Sequence, residues 1–143
     1  MQMPIARTVP DLLDEMAARL PDAEFVVGGE ARLSYADFRR RVRDFARGLH
    51  ALGVAKGDKV AILMGNLPEW LIADFAILQL GAIMVSLNTW ATRRELEYML
   101  DHSDAVVLVT QDAFLGNDYL EMLAEIRPRL TKLREIVCLG SDQ

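Results

Sequence analysis

The stretch GVAKGDKVAILMGNLPEWLIADFAILQLGAIMVSLN, Gly53 to Asn88, decides the fold of this chain. Within it Lys59 to Met64 reads as a buried strand, Pro68 to Leu80 as a helix apolar on nearly every face, and Ile83 to Leu87 as a second buried strand. A strand that is apolar without alternation must be covered on both faces. A parallel neighbour needs a crossover of about a dozen residues, roughly the separation found here. The stretch is therefore predicted to be one βαβ unit of an α/β core. Its punctuation places the same boundaries. Gly57 and Asp58 make a turn before the strand, Gly65 and Asn66 end it, Pro68 suits the first helical position, and Gly81 stands where a helix stops on a left-handed residue.

A membrane span is the competing reading, because Trp70 to Leu87 is apolar for most of its length. Asp74 opposes it, since a carboxylate near the centre of a span costs about 2.5 to 3.5 kcal/mol on insertion scales. Gln79, Gly81 and Ser86 interrupt the rest. A soluble α/β element is the reading that survives.

Outside this unit the chain alternates. Thr8 and Asp11 form a capping pattern before Leu12, Leu13, Met16, Ala17 and Leu20, and Pro21 halts that helix. EFVVGGEARLSY follows, two β-prone pieces around Gly28 and Gly29, predicted as a tight hairpin with positive φ at both glycines. Ser34 and Asp37 cap a longer helix whose stripe is Phe38, Val42, Phe45, Ala46 and Leu49, and Gly53 ends it. Beyond Asn88, Thr92 and Glu95 repeat the capping pattern ahead of Leu96, Met99 and Leu100. Ala105 to Thr110 is a further all-apolar strand. Asn117 or Asp118 caps a helix carrying Tyr119, Leu120, Leu123 and Ile126, limited by Pro128, and Glu135 to Leu139 is the last strand. Strands alternating with helices predict a mostly parallel sheet flanked by helices, with a small β-hairpin near the N-terminus. The expected organisation is a single α/β domain over 1–143.

Composition limits the function classes. With 52% hydrophobic and 26% charged residues the 143-residue chain is expected to bury a core. Its 21 acidic and 16 basic side chains leave a net charge of -5, which argues against a nucleic-acid partner. Arg39, Arg40, Arg41, Arg43 and Arg47 could form a basic patch, but the solvated face of an amphipathic helix explains them better. Cys138, the single cysteine, forbids an internal disulfide and lies in an apolar run, so it reads as a buried structural thiol. MQMPIARTVPDLL carries no charged leader followed by an apolar block, and a cytoplasmic location is expected. His50 and His102 stand apart from any ligand-spaced cluster, so no metal site is expected.

In open α/β sheets ligands sit beyond the carboxyl ends of the strands. The positions of interest are therefore Gly65 and Asn66, Asn88 to Trp90, and Thr110 to Asp112. No Gly-x-Gly-x-x-Gly, no phosphate loop ending in Lys-Ser or Lys-Thr and no Gly-x-Ser-x-Gly elbow occurs, and the only lysines are Lys56, Lys59 and Lys132. No catalytic residue is expected. Asn66 reads first as a turn residue, and Asn88 either turns the chain or faces a site. Trp70 and Trp90 read as packing residues, with an interface as the second reading of Trp90.

The order of motifs resembles the N-terminal portion of the adenylate-forming superfamily of acyl-CoA synthetases, peptide-synthetase adenylation domains and luciferases. Four segments carry the resemblance: LSYADFRRRVRDFARGLHALGVAKGDKVAIL, the Asn-x-x-Glu of Asn66 and Glu69, LGAIMVSLN, and RRELEYMLDHSDAVVLV. It implies an ATP-dependent ligase that joins a carboxylic acid to AMP and passes the acyl group to coenzyme A or another thiol. Similarity in the LNTW to ELEYML stretch points to a fatty acid. ATP, Mg and coenzyme A are implied as cofactors of the whole enzyme, with none bound tightly by this chain alone. The superfamily's phosphate loop, aromatic-Thr-Glu segment, ribose-binding Asp and catalytic Lys would all lie after Gln143. The resemblance thus implies a framework fragment, inactive alone, whose partners are the remainder of the ligase chain and the acid substrate. Some relatives have Asn-Pro and a basic residue against the coenzyme A phosphates. Here the sequence is Asn88, Thr89, Trp90, and Asn88, Arg93 and Arg94 are the candidate cofactor contacts. A free-standing α/β binding or interaction module is the alternative. A strand edge left bare in a fragment predicts self-association or low stability.

Overall fold

The structure, a computed structural model, describes residues 3–140. The outermost residues of the leader reading and of the expected 1–143 domain lie outside that range.

Helix α1 (Val9–Arg19) leads into a hairpin of β1 (Glu24–Gly28) and β2 (Ala31–Ser34), and α2 (Tyr35–Ala51) follows directly. Then come β3 (Lys59–Leu63), α3 (Pro68–Gln79), β4 (Ile83–Ser86), α4 (Arg93–Ser103) and β5 (Val107–Gln111). A two-residue pair, β6 (Ala113–Phe114) with β7 (Asn117–Asp118), precedes α5 (Tyr119–Ile126), a 3-10 turn at Arg127–Arg129, and β8 (Glu135–Leu139). Strands β4, β3, β5 and β8 lie in that order, every neighbouring pair parallel, with Ala61 opposite both Val85 and Leu108. The expected parallel α/β architecture with its N-terminal hairpin is the observed one.

Alternation along the strands divides the core into two layers. Val60, Ile62 and Met64 of the β3 segment, with Val107 and Val109, face α1, the hairpin, α2 and α3. Ala61, Leu63 and Leu108 face α4 and α5. Every residue from Val60 to Met64 is buried, as a strand covered on both sides requires. Each fully buried leucine or isoleucine here contributes about 1.5 to 3 kcal/mol relative to exposure. The first layer is pinned by an aromatic group in which Phe38 meets Phe25 at 5.0 Å and Phe75 at 5.2 Å, ring centre to ring centre.

Several expectations change in detail. Ile83 to Leu87 reads as a buried strand, but β4 is an edge: it pairs only with β3, and Ile83 is 49% exposed. Cys138 is exposed rather than buried, because β8 is the opposite edge. In the hairpin only Gly29 takes positive φ, at 56°, while Gly28 pairs with Ala31 as a strand residue. Of the three capping patterns, only Thr92 and Glu95 close reciprocally: Glu95 accepts from the Thr92 amide at 2.8 Å. Asp11 and Asp37 are one methylene shorter, and each accepts instead from the hydroxyl of its cap residue, at 2.6 and 3.0 Å. The β6–β7 pair has no counterpart among the elements expected from sequence.

The arginines of α2 are largely neutralised. Arg39 and Arg43 converge on Asp14 of α1, Arg40 pairs with Asp37 and Arg47 with Asp44. The guanidinium of Arg39 holds the Asp14 carboxyl below the usual aspartate range. This is the salt-bridged solvated face expected of an amphipathic helix. No helix among the described residues is long and apolar enough to cross a membrane.

Candidate functional site at the carboxyl end of the sheet

Strand order β4-β3-β5-β8 makes the chain turn one way from β3 to β4 and the other way to β5. The crevice between the carboxyl ends of β3 and β5 is thus the topological switch point, where ligands of open α/β sheets bind. Three loops meet there: 64–67 after β3, 87–92 after β4, and 112–118 after β5.

The crevice is filled by the chain itself. The Gly65 amide donates to the Gln111 side-chain carbonyl at 2.8 Å, and the buried Thr110 hydroxyl donates to the Leu63 carbonyl at 2.8 Å. The Phe114 ring lies against Gly65 so closely that a Cβ there would stand 2.7 Å from Cε2. Gly65, a turn glycine by sequence, supplies space rather than positive φ. The turn after it is a backbone contact, Leu67 amide to Gly65 carbonyl at 2.9 Å, and Asn66 points outward, exposed. Asn66, Leu67 and Pro68 border an apolar groove of about 360 Å³ that Val26 and Val27 of the hairpin close from the other side. Trp70 lines the same groove and packs partly into the core.

In the second loop Asn88 turns the chain. Its side-chain oxygen accepts from the Trp90 amide at 3.0 Å, an Asx turn. Thr89 is held from the third loop and the start of α5, its carbonyl accepting from the Tyr119 hydroxyl at 2.9 Å and from the Asn117 side-chain amide at 3.2 Å. Trp90 itself is 69% exposed, which removes it from the packing residues. Arg93 pairs with Glu125 of α5 at 2.5 Å. Arg94, one position on, is exposed and has no hydrogen-bond or ion-pair partner among the described residues. Asn88, Arg93 and Arg94 therefore share one short segment, with one cation engaged and one open. Sequence reading included Gln111 in the span Thr110 to Asp112 without giving it a role, and missed the parts played by Phe114, Asn117 and Tyr119. The one signal available was Gly65, whose need for space is invisible until the opposing ring is known.

The donor set does not fit a nucleoside triphosphate. Phosphates call for a glycine-rich loop with a lysine or a cluster of free cations, whereas Lys59 and Lys132 lie at the amino end of the sheet on Asp104. Among the described residues no three His, Cys, Asp or Glu side chains gather as a metal site.

The sequence model of the AMP-binding enzyme family matches residues 13–143. The chain belongs to that family. It is 34% identical over 139 residues to triostin synthetase I of Streptomyces triostinicus, covering 97% of this chain and 26% of that protein. It is 31% identical over 143 residues to a medium/long-chain-fatty-acid and 3-oxocholest-4-en-26-oate CoA ligase of Mycobacterium marinum, covering 99% of this chain and 25% of that one. Among solved structures it superposes on an anthranilate CoA ligase in complex with anthranoyl-AMP with a TM-score of 0.85 and 26% identity, over 98% of this chain and 27% of that chain. The chain spans about a quarter of the length of the curated relatives it matches, an N-terminal portion of them.

Proposed function

We propose that this chain is the framework portion of an ATP-dependent acid–thiol ligase, which activates a carboxylic acid as its acyl adenylate and transfers the acyl group to coenzyme A. The observation that carries the reading is the family match over residues 13–143 taken together with a carboxyl-end crevice filled by Gln111 and Phe114 and lacking any lysine. Among the described residues these groups supply framework, and no lysine stands in the crevice. A fatty acid is the preferred substrate, supported by the LNTW to ELEYML similarity and by the name of the Mycobacterium marinum relative. ATP, Mg and tight coenzyme A binding belong in this reading to polypeptide beyond these residues. The whole of 1–143 acts as one α/β domain, in the cytoplasm, consistent with its single cysteine.

Within the chain, Asn88 shapes the loop, and Arg94 with Arg93 beside it is our candidate for contact with phosphates of coenzyme A, a reading supported by their shared segment after β4. Arg94 carries more of this role because Arg93 is already shared with Glu125. The exposed edges β4 and β8 favour self-association when the chain is alone.

The test is exchange of labelled pyrophosphate into ATP, with a panel of fatty acids. The chain alone gives none, and the longer polypeptide read from its gene gives acid-dependent exchange. Exchange by the chain unaided would overturn the proposal. A saturable ATP or coenzyme A site with no exchange in any longer form would favour a free-standing binding module.

A further inference from the structure

Residues 88–95 form an exposed loop and helix start that is tied down at nearly every backbone position. Asn88 accepts from the Trp90 amide through its side chain and from the Ala91 amide at 3.1 Å through its carbonyl, and Thr92 and Glu95 close a full capping box. Thr89, between them, has its carbonyl filled from across the molecule by Tyr119 and Asn117, 30 and 28 residues away in sequence. A carbonyl oxygen has two lone pairs, and both are used here by side chains of one short segment. A loop carbonyl at a half-exposed position is ordinarily left to water, so two long-range donors on one oxygen specify a position rather than satisfy a need. Tyr119 is 1% exposed, and its buried ring ends in a hydroxyl that donates to this oxygen. Burial pushes the phenol pKa up, so the group remains a donor throughout the neutral range.

The same segment reaches the loop after β3. Gln111 accepts from Gly65, donates at 2.5 Å to the Ala113 carbonyl, and Phe114 covers Gly65. The hairpin is compact because Leu115 and Gly116 both take positive φ, 50° and 86°, which folds β7 back on β6. This hairpin, itself the loop after β5, therefore touches both of the other carboxyl-end loops, at Gly65 and at Thr89.

We infer that the β6–β7 hairpin is a strap that sets the carboxyl-end loops, with Tyr119 and Asn117 acting as positioning residues that hold, through the Thr89 carbonyl, the segment bearing Asn88, Arg93 and Arg94. The link to coenzyme A rests on the reading proposed above; the strap itself does not. Its consequence is that Trp90 and Arg94, though exposed, stand on a rigid mount and meet a ligand without the ordering cost of a mobile loop.

Amide exchange by NMR on the whole chain tests this, using Tyr119→Phe, which keeps the ring, Asn117→Ala, and the two combined. Each single variant leaves one donor and raises exchange at the Trp90 and Ala91 amides about two- to threefold; the combination raises it about tenfold, while Ile62 and Val109 in the sheet are unchanged. Unchanged exchange at Trp90 and Ala91 in the combined variant would overturn the strap, and so would a rise shared equally by Ile62 and Val109, which marks general destabilisation. In parallel, millimolar coenzyme A is titrated into the wild-type and combined variants. Shifts at Arg94 that weaken in the combined variant support the positioning role. No shift at Arg94 in the wild type removes the cofactor reading, and amide exchange at Trp90 and Ala91 then decides for or against the strap without it.

Discussion

At the amino end of the sheet Lys59 and Lys132 meet Asp104, and Arg134 meets Asp58 at 3.1 Å, all with side chains about a third or more exposed. At the carboxyl end Thr110, Gln111, Asn117 and Tyr119 meet carbonyl and amide groups of neighbouring loops, and none of those contacts is an ion pair. The first set sits in water, where attraction between charges is offset by solvation and side-chain entropy. The second is partly or wholly withdrawn from water, where a missing partner leaves a desolvated group unsatisfied. The charged end can therefore change at little cost, and the uncharged end carries the geometry. That asymmetry matches the proposed site: the end of the sheet that faces ligands in this architecture is held mainly by uncharged side chains, the exposed Arg93–Glu125 pair being the exception.

The comparison is broken most forcefully at Gly65. Gly65→Ala drives a Cβ to within 2.7 Å of the Phe114 ring and is expected to destabilise the chain by about 1 to 3 kcal/mol, as overpacking does, read from urea unfolding. Combining it with Phe114→Leu should return part of that loss; an unaltered midpoint for Gly65→Ala alone would deny the close approach. Thr110→Val, which keeps shape and deletes the hydroxyl bond to Leu63, should cost about 1 kcal/mol in the same measurement.

Asp74 sharpens the contrast from the helical layer. It is half-buried on α3, has no partner among the described residues, and desolvation raises its pKa. A carboxyl whose folded pKa lies above its unfolded one favours folding while protonated, and that contribution is lost as pH rises through the folded pKa. Asp74→Asn should therefore raise the melting temperature at pH 7, by an amount that shrinks to nothing once the pH falls below both pKa values. Equal effects at pH 3 and pH 7 would exclude this account.

The smallest effect is expected at the amino end. Asp104→Asn removes the charge and tolerates the left-handed φ of 57° at that position, so it isolates the ion pairs. The hydrogen bond from Lys132 is the main reason the Asp104 carboxyl titrates below the ordinary aspartate range. Its contribution is accordingly present above the unfolded pKa and lost as pH falls through the lower folded one. The difference between variant and wild type should be slight, visible in low salt and absent in high salt. A large salt-independent loss would reverse the ranking of the two ends.

How far the sequence is legible follows from the range of the forces involved. The βαβ unit, the helix stripes and the caps at Thr8, Ser34, Thr92 and Asp118 are all readable, because each depends on residues within a few positions of one another. Ile83 to Leu87 shows where such reading stops. Its apolar run announces a strand, but whether that strand is central or lateral depends on which strands pair beside it, and β5 took the other side of β3. Cys138 is misjudged for the same reason: an apolar run at a sheet edge buries less than the same run in the middle. Of the candidate site, Asn88, Arg93 and Arg94 are legible by resemblance. Tyr119 and Asn117 are not, since one reads as a core aromatic and the other as a helix cap.

By itself, then, the order of residues determined the kinds of element, their approximate limits and the α/β class, since periodicity and capping are properties of local chain geometry. Tertiary structure alone decided the strand order, the two exposed edges and the closing of the switch-point crevice. Those features are settled by groups 28 to 47 residues apart, such as Asn117 with Thr89 and Thr110 with Leu63, whose meeting is a consequence of packing the layers and has no signature along the chain.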